Sequence, residues 1–281
     1  MKWMGKKKQK QDYHFRSENQ FNVNLELQEE KINAPAIIDE NMHHAGKPLI
    51  EIVNLTKSFR KFRQNKVAVK SLNLTFYENE NVALLGSNGA GKTTTVEMIA
   101  GIIQPTSGTI KYNFSYKNTF QERIGVQFQD SSYPPGVVVA DVVKFIVNVY
   151  DVDLNPLELD QMVQNFGLKK FYNEEVRSLS GGQQQRLNIL LSLIHKPKIV
   201  FLDELSTGLD ISVRTKIVGF VKEYCSKAKI QIVLVSHNMD EVSEICDRIV
   251  IMQKGEIKVD LWTKDVIARY QSVNELAKKY I

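Results

Sequence analysis

Residues 86–94, GSNGAGKTT, place three glycines beside a lysine and two threonines, directly after the apolar run VALL. This is the pattern G-x-x-x-x-G-K-[ST], a strand-to-helix turn whose backbone N–H groups surround phosphate oxygens because glycine has no Cβ in the way. Lys92 can reach the β- and γ-phosphates of a nucleotide, and the Thr93 hydroxyl can coordinate Mg²⁺. A Gly-rich turn that carries a lysine by coincidence is the less favoured alternative. The residues of this predicted ATP site are Gly86, Ser87, Asn88, Gly89, Ala90, Gly91, Lys92, Thr93 and Thr94.

Two carboxylates, Asp203 and Glu204, end the apolar run KIVFLDE. In an open α/β sheet ligands bind at the carboxyl ends of the strands, and successive side chains of a strand point in different directions. We therefore expect Asp203 to orient Mg²⁺ and Glu204 to position and polarise the water that attacks the γ-phosphate. Paired acids at a solvated strand end are the alternative, and the Gly-rich turn upstream favours the catalytic interpretation.

A second Gly-rich stretch, LSGGQQQRLNILL at residues 179–191, puts two glycines at the start of a predicted helix. The N-terminus of a helix behind such a turn is an anion site. Ser180 alone could cap this helix. Capping leaves the double glycine and the polar run at residues 183–186 without an explanation, so the sequence predicts two anion sites in one chain.

Strands and helices alternate along most of the chain, which predicts a mainly parallel sheet covered on both faces. The fold class is α/β, a P-loop NTPase core with an inserted helical subdomain; the family resemblance given below adds a small antiparallel β-subdomain. In the insertion, NPLELDQMVQNFG predicts a helix capped by Asn155, with Pro156 at its first position and Gly167 at its end. We assign residues 49–262 to the nucleotide-binding domain, about 131–178 to the helical subdomain and 263–281 to a helical tail.

Residues 1–48 show no sustained periodicity and are basic at first, so we interpret them as an extension without packed structure. His43 and His44 are interpreted as part of a linker, because no second pair of metal ligands lies nearby. Attraction of the basic residues to anionic lipid or ribosomal RNA is the alternative.

The composition excludes several classes of protein. The 281 residues carry a formal net charge of +5, which is too small by itself to indicate nucleic-acid binding. No apolar run approaches the roughly 20 residues that cross a bilayer. Two cysteines provide no disulfide framework, which favours a reducing cytosol.

In the order of its motifs, the chain resembles the nucleotide-binding subunits of ABC transporters over about residues 49–260. The resemblance implies that Phe59, in KSF, stacks on adenine; core packing is the alternative. It also implies that Gln129, in VQFQD, contacts Mg²⁺ and the attacking water, with Gln127 as a nearby rival. His237, in VLVSHNMDE, matches the histidine that contacts the γ-phosphate in this family. Leu205 stands where the family usually has proline.

The resemblance also assigns the second anion site to a partner. In this family the LSGGQ segment closes over the γ-phosphate held by a second, antiparallel subunit, and an aspartate, here Asp210, couples the two sites. An isologous twofold dimer would thus hold two composite sites. The residues implied to act on the partner's nucleotide are Ser180, Gly181, Gly182 and Gln183.

The resemblance therefore predicts an ATP-binding and ATP-hydrolysing subunit at the cytoplasmic face of the cell membrane. Its expected partners are a separate transmembrane permease and a second ATP-binding subunit. Residues 131–150 and 241–257 are most similar to bacterial exporter-type, ABC-2-like subunits, which favours export. The alternative is a soluble ABC-type ATPase acting on ribosomes or nucleic acid. Such proteins commonly join two nucleotide-binding units in one chain. This chain has a single Gly-rich phosphate-binding turn and a single LSGGQ segment, which counts against that alternative.

Overall fold

A computed structural model describes residues 34–61, 64–127, 133–206 and 208–281. The strands are β1 Ile37–Ile38, β2 Pro48–Lys61, β3 Gln64–Tyr77, β4 Val82–Leu85, β5 Ser107–Tyr112, β6 Ile124–Gln127, β7 Ile199–Asp203, β8 Gln231–Val235, β9 Arg248–Gln253 and β10 Glu256–Trp262. The α-helices are α1 Lys92–Ile99, α2 Val139–Val149, α3 Pro156–Asn165, α4 Gly181–Leu193, α5 Ile211–Ala228, α6 Met239–Ile245, α7 Thr263–Tyr270 and α8 Val273–Tyr280.

The main sheet has seven strands in the order β1-β10-β9-β4-β8-β7-β6. Strands β9, β4, β8, β7 and β6 are mutually parallel, and β10 runs antiparallel to β9. Strand β4 is buried throughout, as are β8 and β9. Apolar runs buried on both faces are what a covered parallel sheet requires, so the predicted α/β fold is confirmed.

Alternate side chains of the parallel strands divide the core in two. Leu202 and Leu234 pack into the cluster beneath the helices, whereas Phe201 and Val233 pack into the cluster on the other face. The second cluster is covered by an antiparallel sheet of order β3-β2-β5, which is the predicted β-subdomain. The alternation follows from the two-residue period of a strand. Because β4, β7 and β8 run parallel, their carboxyl ends lie at one edge of the sheet.

The helical insertion follows β6 and contains α2 and α3. The Asn155 side chain accepts a hydrogen bond from the N–H of Leu157 at 3.0 Å, and Pro156 is the first residue of α3. Gly167, which follows the helix, has φ 65°, a left-handed conformation that glycine adopts without strain. The predicted cap, first position and end of this helix are confirmed.

Residues 34–48 contradict the prediction of an extension without packed structure. Strand β1 pairs with β10, Ile37 opposite Val259, and the Tyr280 hydroxyl donates to the carbonyl of Pro35 at 2.9 Å. His44 stacks on Tyr77 with ring centroids 3.8 Å apart, so it is packed rather than part of a free linker. Two apolar residues can use a free strand edge although they are too few to show a periodicity. Residues 1–33 lie outside the described part of the chain.

A buried ion network holds this segment. The Arg248 guanidinium donates to both oxygens of Asp260, at 2.6 and 2.7 Å, and to Glu80 at 2.8 Å. The other Glu80 oxygen lies 2.7 Å from Nδ1 of His44. Pairing and hydrogen bonding of this kind are what a buried charge requires. Strands β9 and β10 and the segment before β4 are thereby tied to residue 44.

Two kinds of feature are missing from the described residues. Their helices include none that combines the length and apolarity needed to cross a bilayer. Those residues also include no group of three or more histidine, cysteine, aspartate and glutamate side chains arranged to hold a metal ion. Both cysteines, Cys225 and Cys246, are buried free thiols.

Candidate nucleotide-binding site

The Gly-rich turn connects β4 to α1, which is the context that its pattern requires. Gly86 has φ 146° and Gly91 has φ 108°, both in the region that favours glycine. A Cβ on Gly86 would lie 2.3 Å from the Met252 carbonyl oxygen, and one on Gly91 would lie 2.6 Å from that of Ala68. Close approach and backbone conformation therefore both require glycine at these two positions.

Lys92 is the first residue of α1 and is only 9% exposed. Its ammonium donates to the carbonyls of Gly86, at 2.6 Å, and Ser87, at 3.1 Å. Burial lowers the pKa of Lys92, while the nearby carboxylates of Asp203 and Glu204 oppose that shift. A buried ammonium at a helix N-terminus, held by neutral carbonyls, fits the phosphates of a nucleotide.

Phe59 lies beside this turn and is 41% exposed, so core packing does not explain it. The ring and the turn line one cavity of about 230 Å³. The Lys57 ammonium is 5.2 Å from the centre of the Phe59 ring. An exposed aromatic face next to a phosphate site is a surface on which a nucleobase can stack. The other lining residues are Lys66, Ala68, Asn88, Gly89, Gly91, Lys92, Thr93 and Thr94.

The remaining residues of the turn shape its tip. Ser87, Asn88 and Gly89 are exposed, and Ala90 is buried. The N–H of Ala90 donates to the Ser87 carbonyl at 3.1 Å, which closes the turn.

Asp203 ends β7, and Glu204 follows it with φ 53°. The pKa of Asp203 is raised by burial and by the charge of Glu204; Lys92 and His237 act in the opposite direction. The structure therefore brings these four predicted residues within electrostatic reach of one another. The N–H of Glu204 donates to the Val235 carbonyl at 2.7 Å, which fixes the turn to β8.

The turn after Glu204 is held without the proline that the family usually has. Leu205 is buried in the core. The Gln185 side-chain amide donates to the Glu204 carbonyl at 2.8 Å. Gln185 thus provides a restraint that the sequence analysis did not predict. The feature that could have indicated this role is a polar residue at a buried position of α4, and the burial is known only once the packing of that helix is known.

His237 is exposed and follows β8 at the same edge of the sheet. It lines a cavity of about 520 Å³ together with Glu204, Ser206 and Arg214. The predicted water-positioning carboxylate and the predicted γ-phosphate histidine therefore face a common space. Gln129 lies outside the described residues. Its rival, Gln127, is 2% exposed, and its amide is 3.4 Å from the side-chain oxygen of Gln185.

Ser180 caps α4 in a capping box: its hydroxyl accepts from the Gln183 N–H, and its own N–H donates to the Gln183 side chain. A Cβ on Gly182 would lie 2.9 Å from the Gly208 carbonyl oxygen. At Gly181, by contrast, the described residues outside its own helix and neighbours place no atom within 4 Å of the position of the missing Cβ. Gly182 is therefore explained by close approach within this chain, and Gly181 is not.

The polar run at residues 183–186 has partners within the chain, which corrects the inference that capping leaves it unexplained. The Gln184 amide donates to the Val176 carbonyl at 3.2 Å, and the Arg186 guanidinium donates to that of Phe166 at 2.9 Å. Gln183 and Gln185 have the contacts described above. Because these residues have roles within the chain, Gly181 is the residue of the LSGGQ segment that the described contacts leave unexplained.

Asp210 caps α5, with its carboxylate accepting from the N–H of Val213 at 3.0 Å and from the Ser212 hydroxyl at 2.8 Å. These two hydrogen bonds lower the pKa of Asp210. The described side-chain hydrogen bonds of Asp210, Ser180 and Gln183 lie within their own turns. The Asp210 carboxylate also interacts electrostatically with Arg186 of α4. The structure thus gathers Phe59, the Gly-rich turn, Asp203, Glu204 and His237 at one site, with the LSGGQ segment and Asp210 outside that set.

Comparison with known proteins finds ATP-binding proteins of transport systems that are about one third identical to this chain. A profile described as ABC transporter matches residues 69–207. The spermidine/putrescine import ATP-binding protein PotA of Spiroplasma citri is 33% identical over 75% of this chain, but the match spans only 60% of PotA. The putrescine export system ATP-binding protein SapF of Escherichia coli K12 is 31% identical over 83% of this chain and 92% of SapF.

The fold has solved counterparts as well. A dimeric structure of the ATP-binding cassette MJ0796, bound to ADP and inorganic phosphate, superposes with a TM-score of 0.67. That alignment covers 76% of this chain and 98% of the cassette at 24% identity. At such identity the likeness shows the fold.

Proposed function

Because this chain belongs to the family of ABC transporter ATP-binding proteins, we propose that it couples ATP hydrolysis to transport through a separate membrane permease. It is an ATP-binding cassette, and the enzymatic activity of such cassettes is the hydrolysis of ATP. One observation carries the proposal: Lys92, Asp203, Glu204 and His237 converge on the edge of the sheet at which the Gly-rich turn lies.

Nucleotide binding uses Phe59 for the adenine, and the amides of the Gly-rich turn with Lys92 for the phosphates. Mg²⁺ fits the donors present, since this ion keeps waters and substrate phosphates and needs only one or two carboxylates. Thr93 and Asp203 would hold it, together with Gln129, and the ion would neutralise charge on the phosphates.

Hydrolysis depends on Glu204 and His237, which face a common cavity. Glu204 accepts a proton from the attacking water and orients it, while His237 donates a hydrogen bond to the γ-phosphate. The left-handed backbone at Glu204, fixed by the hydrogen bonds to Val235 and from Gln185, keeps that carboxylate at the strand end. A proton acceptor that is already held in place needs little further reorganisation when the transition state forms.

Gly181 supports the action of the LSGGQ segment on a second subunit. Apart from its own helix and neighbouring residues, no described part of the chain lies within 4 Å of the position of a Cβ on Gly181, so packing within the described chain does not require glycine there. A surface kept free of a Cβ allows another molecule to approach the N–H groups at the start of α4. We propose that this molecule is the ATP bound to a second copy or a similar subunit, with Ser180, Gly182, Gln183 and Asp210 contributing to the contact.

The transport cycle then follows from two states. ATP bridges two subunits and closes them, hydrolysis removes the γ-phosphate contact, and the subunits separate. The movement passes to the permease because nucleotide biases a two-state element. Phe145 and Val149 on α2 and Ile102 after α1 are exposed apolar side chains, which we propose such a partner covers. The proposed place is the cytoplasmic face of the membrane, and the exporter-like segments support export.

Purification tests this proposal most directly. A tagged Glu204→Gln chain is isolated from detergent-solubilised membranes with Mg²⁺-ATP present, and the bound proteins are identified by mass spectrometry. A Lys92→Ala chain, which lacks the phosphate contact, is the matched control. We expect a stoichiometric polytopic membrane protein with the first variant and its loss with the second. Ribosomal proteins or nucleic acid without a membrane protein would support the alternative function instead.

A further inference from the structure

Glu241 is a buried carboxylate next to the proposed catalytic site, and it is assigned no role in nucleotide binding. It lies in the first turn of α6, four residues after His237, and is 2% exposed. Burying a carboxylate is costly unless it is paired and hydrogen-bonded. The partners of Glu241 therefore show what its burial accomplishes.

Three side chains from two other segments meet the carboxylate. The Ser206 hydroxyl donates to Oε1 of Glu241, and the Arg214 guanidinium lies 3.2 Å from the same oxygen. The Ser236 hydroxyl donates to Oε2 at 3.4 Å and itself accepts from the Asn238 N–H at 3.0 Å. Because residues 236 and 238 flank His237, Glu241 is linked to the backbone on both sides of that histidine.

Two of these partners lie at the ends of the loop formed by residues 206–210. Ser206 is the first residue of the loop, and Arg214 lies in the first turn of α5, which follows it. Residue 207 lies outside the described part of the chain. Ser206 opens the loop, and its carbonyl accepts from the Leu209 N–H at 3.1 Å. The N–H of Arg214 donates to the Asp210 carbonyl at 2.8 Å, one turn into α5. One carboxylate thus holds both ends of the loop that carries Asp210.

The other side of this loop touches the LSGGQ segment. The Gly208 carbonyl oxygen and the Leu209 side chain lie 2.9 and 3.1 Å from the position of a Cβ on Gly182. A continuous set of contacts therefore runs from Gly182 through the loop to Glu241 and on to Ser236. It joins the segment offered to a second subunit with the histidine that serves the chain's own nucleotide.

We propose that Glu241 is a positioning residue that fixes the 206–210 loop, and with it the start of α4, relative to His237. This inference rests on the proposed ATP-bridged dimer. In that dimer the half-site for the chain's own nucleotide and the half-site presented to the partner are held in one arrangement. Without Glu241, each half-site keeps its residues, but the two are no longer aligned for simultaneous closure.

Kinetics of the full chain separate this role from a purely structural one. We compare Glu241→Gln, Ser206→Ala and the double variant with Glu244→Gln, which neutralises an exposed carboxylate on the same helix. Per folded molecule, Glu241→Gln is expected to lower kcat for ATP by about tenfold, with KM changed by less than about twofold. Ser206→Ala lowers kcat in the same direction, and the double variant falls no further than Glu241→Gln, because both remove one linkage. Glu244→Gln keeps the original kinetics.

The inference is overturned if Glu241→Gln matches Glu244→Gln per folded molecule, or if the two single losses multiply in the double variant. Should Glu241→Gln fail to fold, Ser206→Ala decides the matter, since an unchanged kcat there contradicts the linkage. Dimerisation of a Glu204→Gln chain with ATP is measured alongside. A dimer with unaltered Glu241→Gln kinetics rejects this inference alone, whereas a monomer rejects the proposed function and the inference with it.

Discussion

Asp203 carries a conflict between stability and function. Its pKa is raised, first by burial and then by the charge of Glu204. A raised carboxylate pKa means that the folded state binds more protons than the unfolded state between the two pKa values. The ionised group therefore destabilises the fold, and this destabilisation develops as the pH rises from the unfolded pKa, near 3.8, through the folded one.

Neutralising Asp203 should consequently stabilise the protein and inactivate it. We expect Asp203→Asn to raise the melting temperature at pH 7, by roughly 2–4 °C for each kcal/mol recovered, and to raise it less at pH 4. Hydrolysis of ATP should fall by at least about 100-fold, since the proposed Mg²⁺ ligand is lost. Thermal unfolding of the nucleotide-free chain at both pH values checks the first expectation. A lower melting temperature at pH 7 would contradict the account of this site.

The sequence predicted those site residues whose chemistry is contained in a short segment. Gly86, Gly91 and Lys92 belong to one local pattern, and the structure brings them together with Asp203 because the strands end at a common edge. Glu241 could not be predicted, because its partners Ser206 and Arg214 lie far from it in the sequence. Gln185 was missed for the same reason.

At the scale of the element, α4 offers a matched pair of glycines. A Cβ on Gly182 would meet the Gly208 carbonyl oxygen at 2.9 Å, whereas one on Gly181 would meet no atom within 4 Å from the described residues beyond its own helix and neighbours. Packing within this chain therefore requires glycine at residue 182, whereas Gly181 is left for the proposed contact with a second subunit.

Alanine at residue 182 should lower the stability of the protein, whereas alanine at residue 181 should lower its ATP hydrolysis. We expect Gly182→Ala to lower the stability by about 1–3 kcal/mol through overpacking, and Gly181→Ala to leave it unchanged or slightly raised. Gly181→Ala should nevertheless lower ATP hydrolysis by at least about tenfold, because the added methyl group prevents close approach of the partner's phosphate. Denaturant unfolding and steady-state hydrolysis measure the two effects. Full activity in Gly181→Ala would argue against use of this helix start by a second subunit.

Helices and strands with strong local signals were predicted well. The Asn155 cap and the following proline define α3 before any tertiary contact is considered. Strand β1 gave no such signal, because a two-residue strand depends on the free edge of β10 and not on its own periodicity. The contact between His44 and Glu80 is equally invisible in the sequence.

For the whole molecule, the N-terminal segment has a testable boundary. Deleting residues 1–48 removes β1 and the His44 contacts with Glu80 and Tyr77, which deletion of residues 1–33 retains. We expect the shorter chain to be less stable than the chain lacking residues 1–33 by about 1–3 kcal/mol, and His44→Ala in the full chain to reproduce part of that loss. Equal melting temperatures for the two deletions would contradict the packing described for residues 34–48.

The proposed mechanism depends on the ATP-bridged dimer, and sedimentation tests that dimer most directly. Sedimentation of the Glu204→Gln chain is compared at saturating Mg²⁺-ATP, at saturating Mg²⁺-ADP and without nucleotide. The account predicts a dimer with ATP alone, since the γ-phosphate joins the Gly-rich turn of one subunit to α4 of the other, and a weaker dimer when Gly181→Ala is added. A chain that stays monomeric at saturating ATP would contradict it.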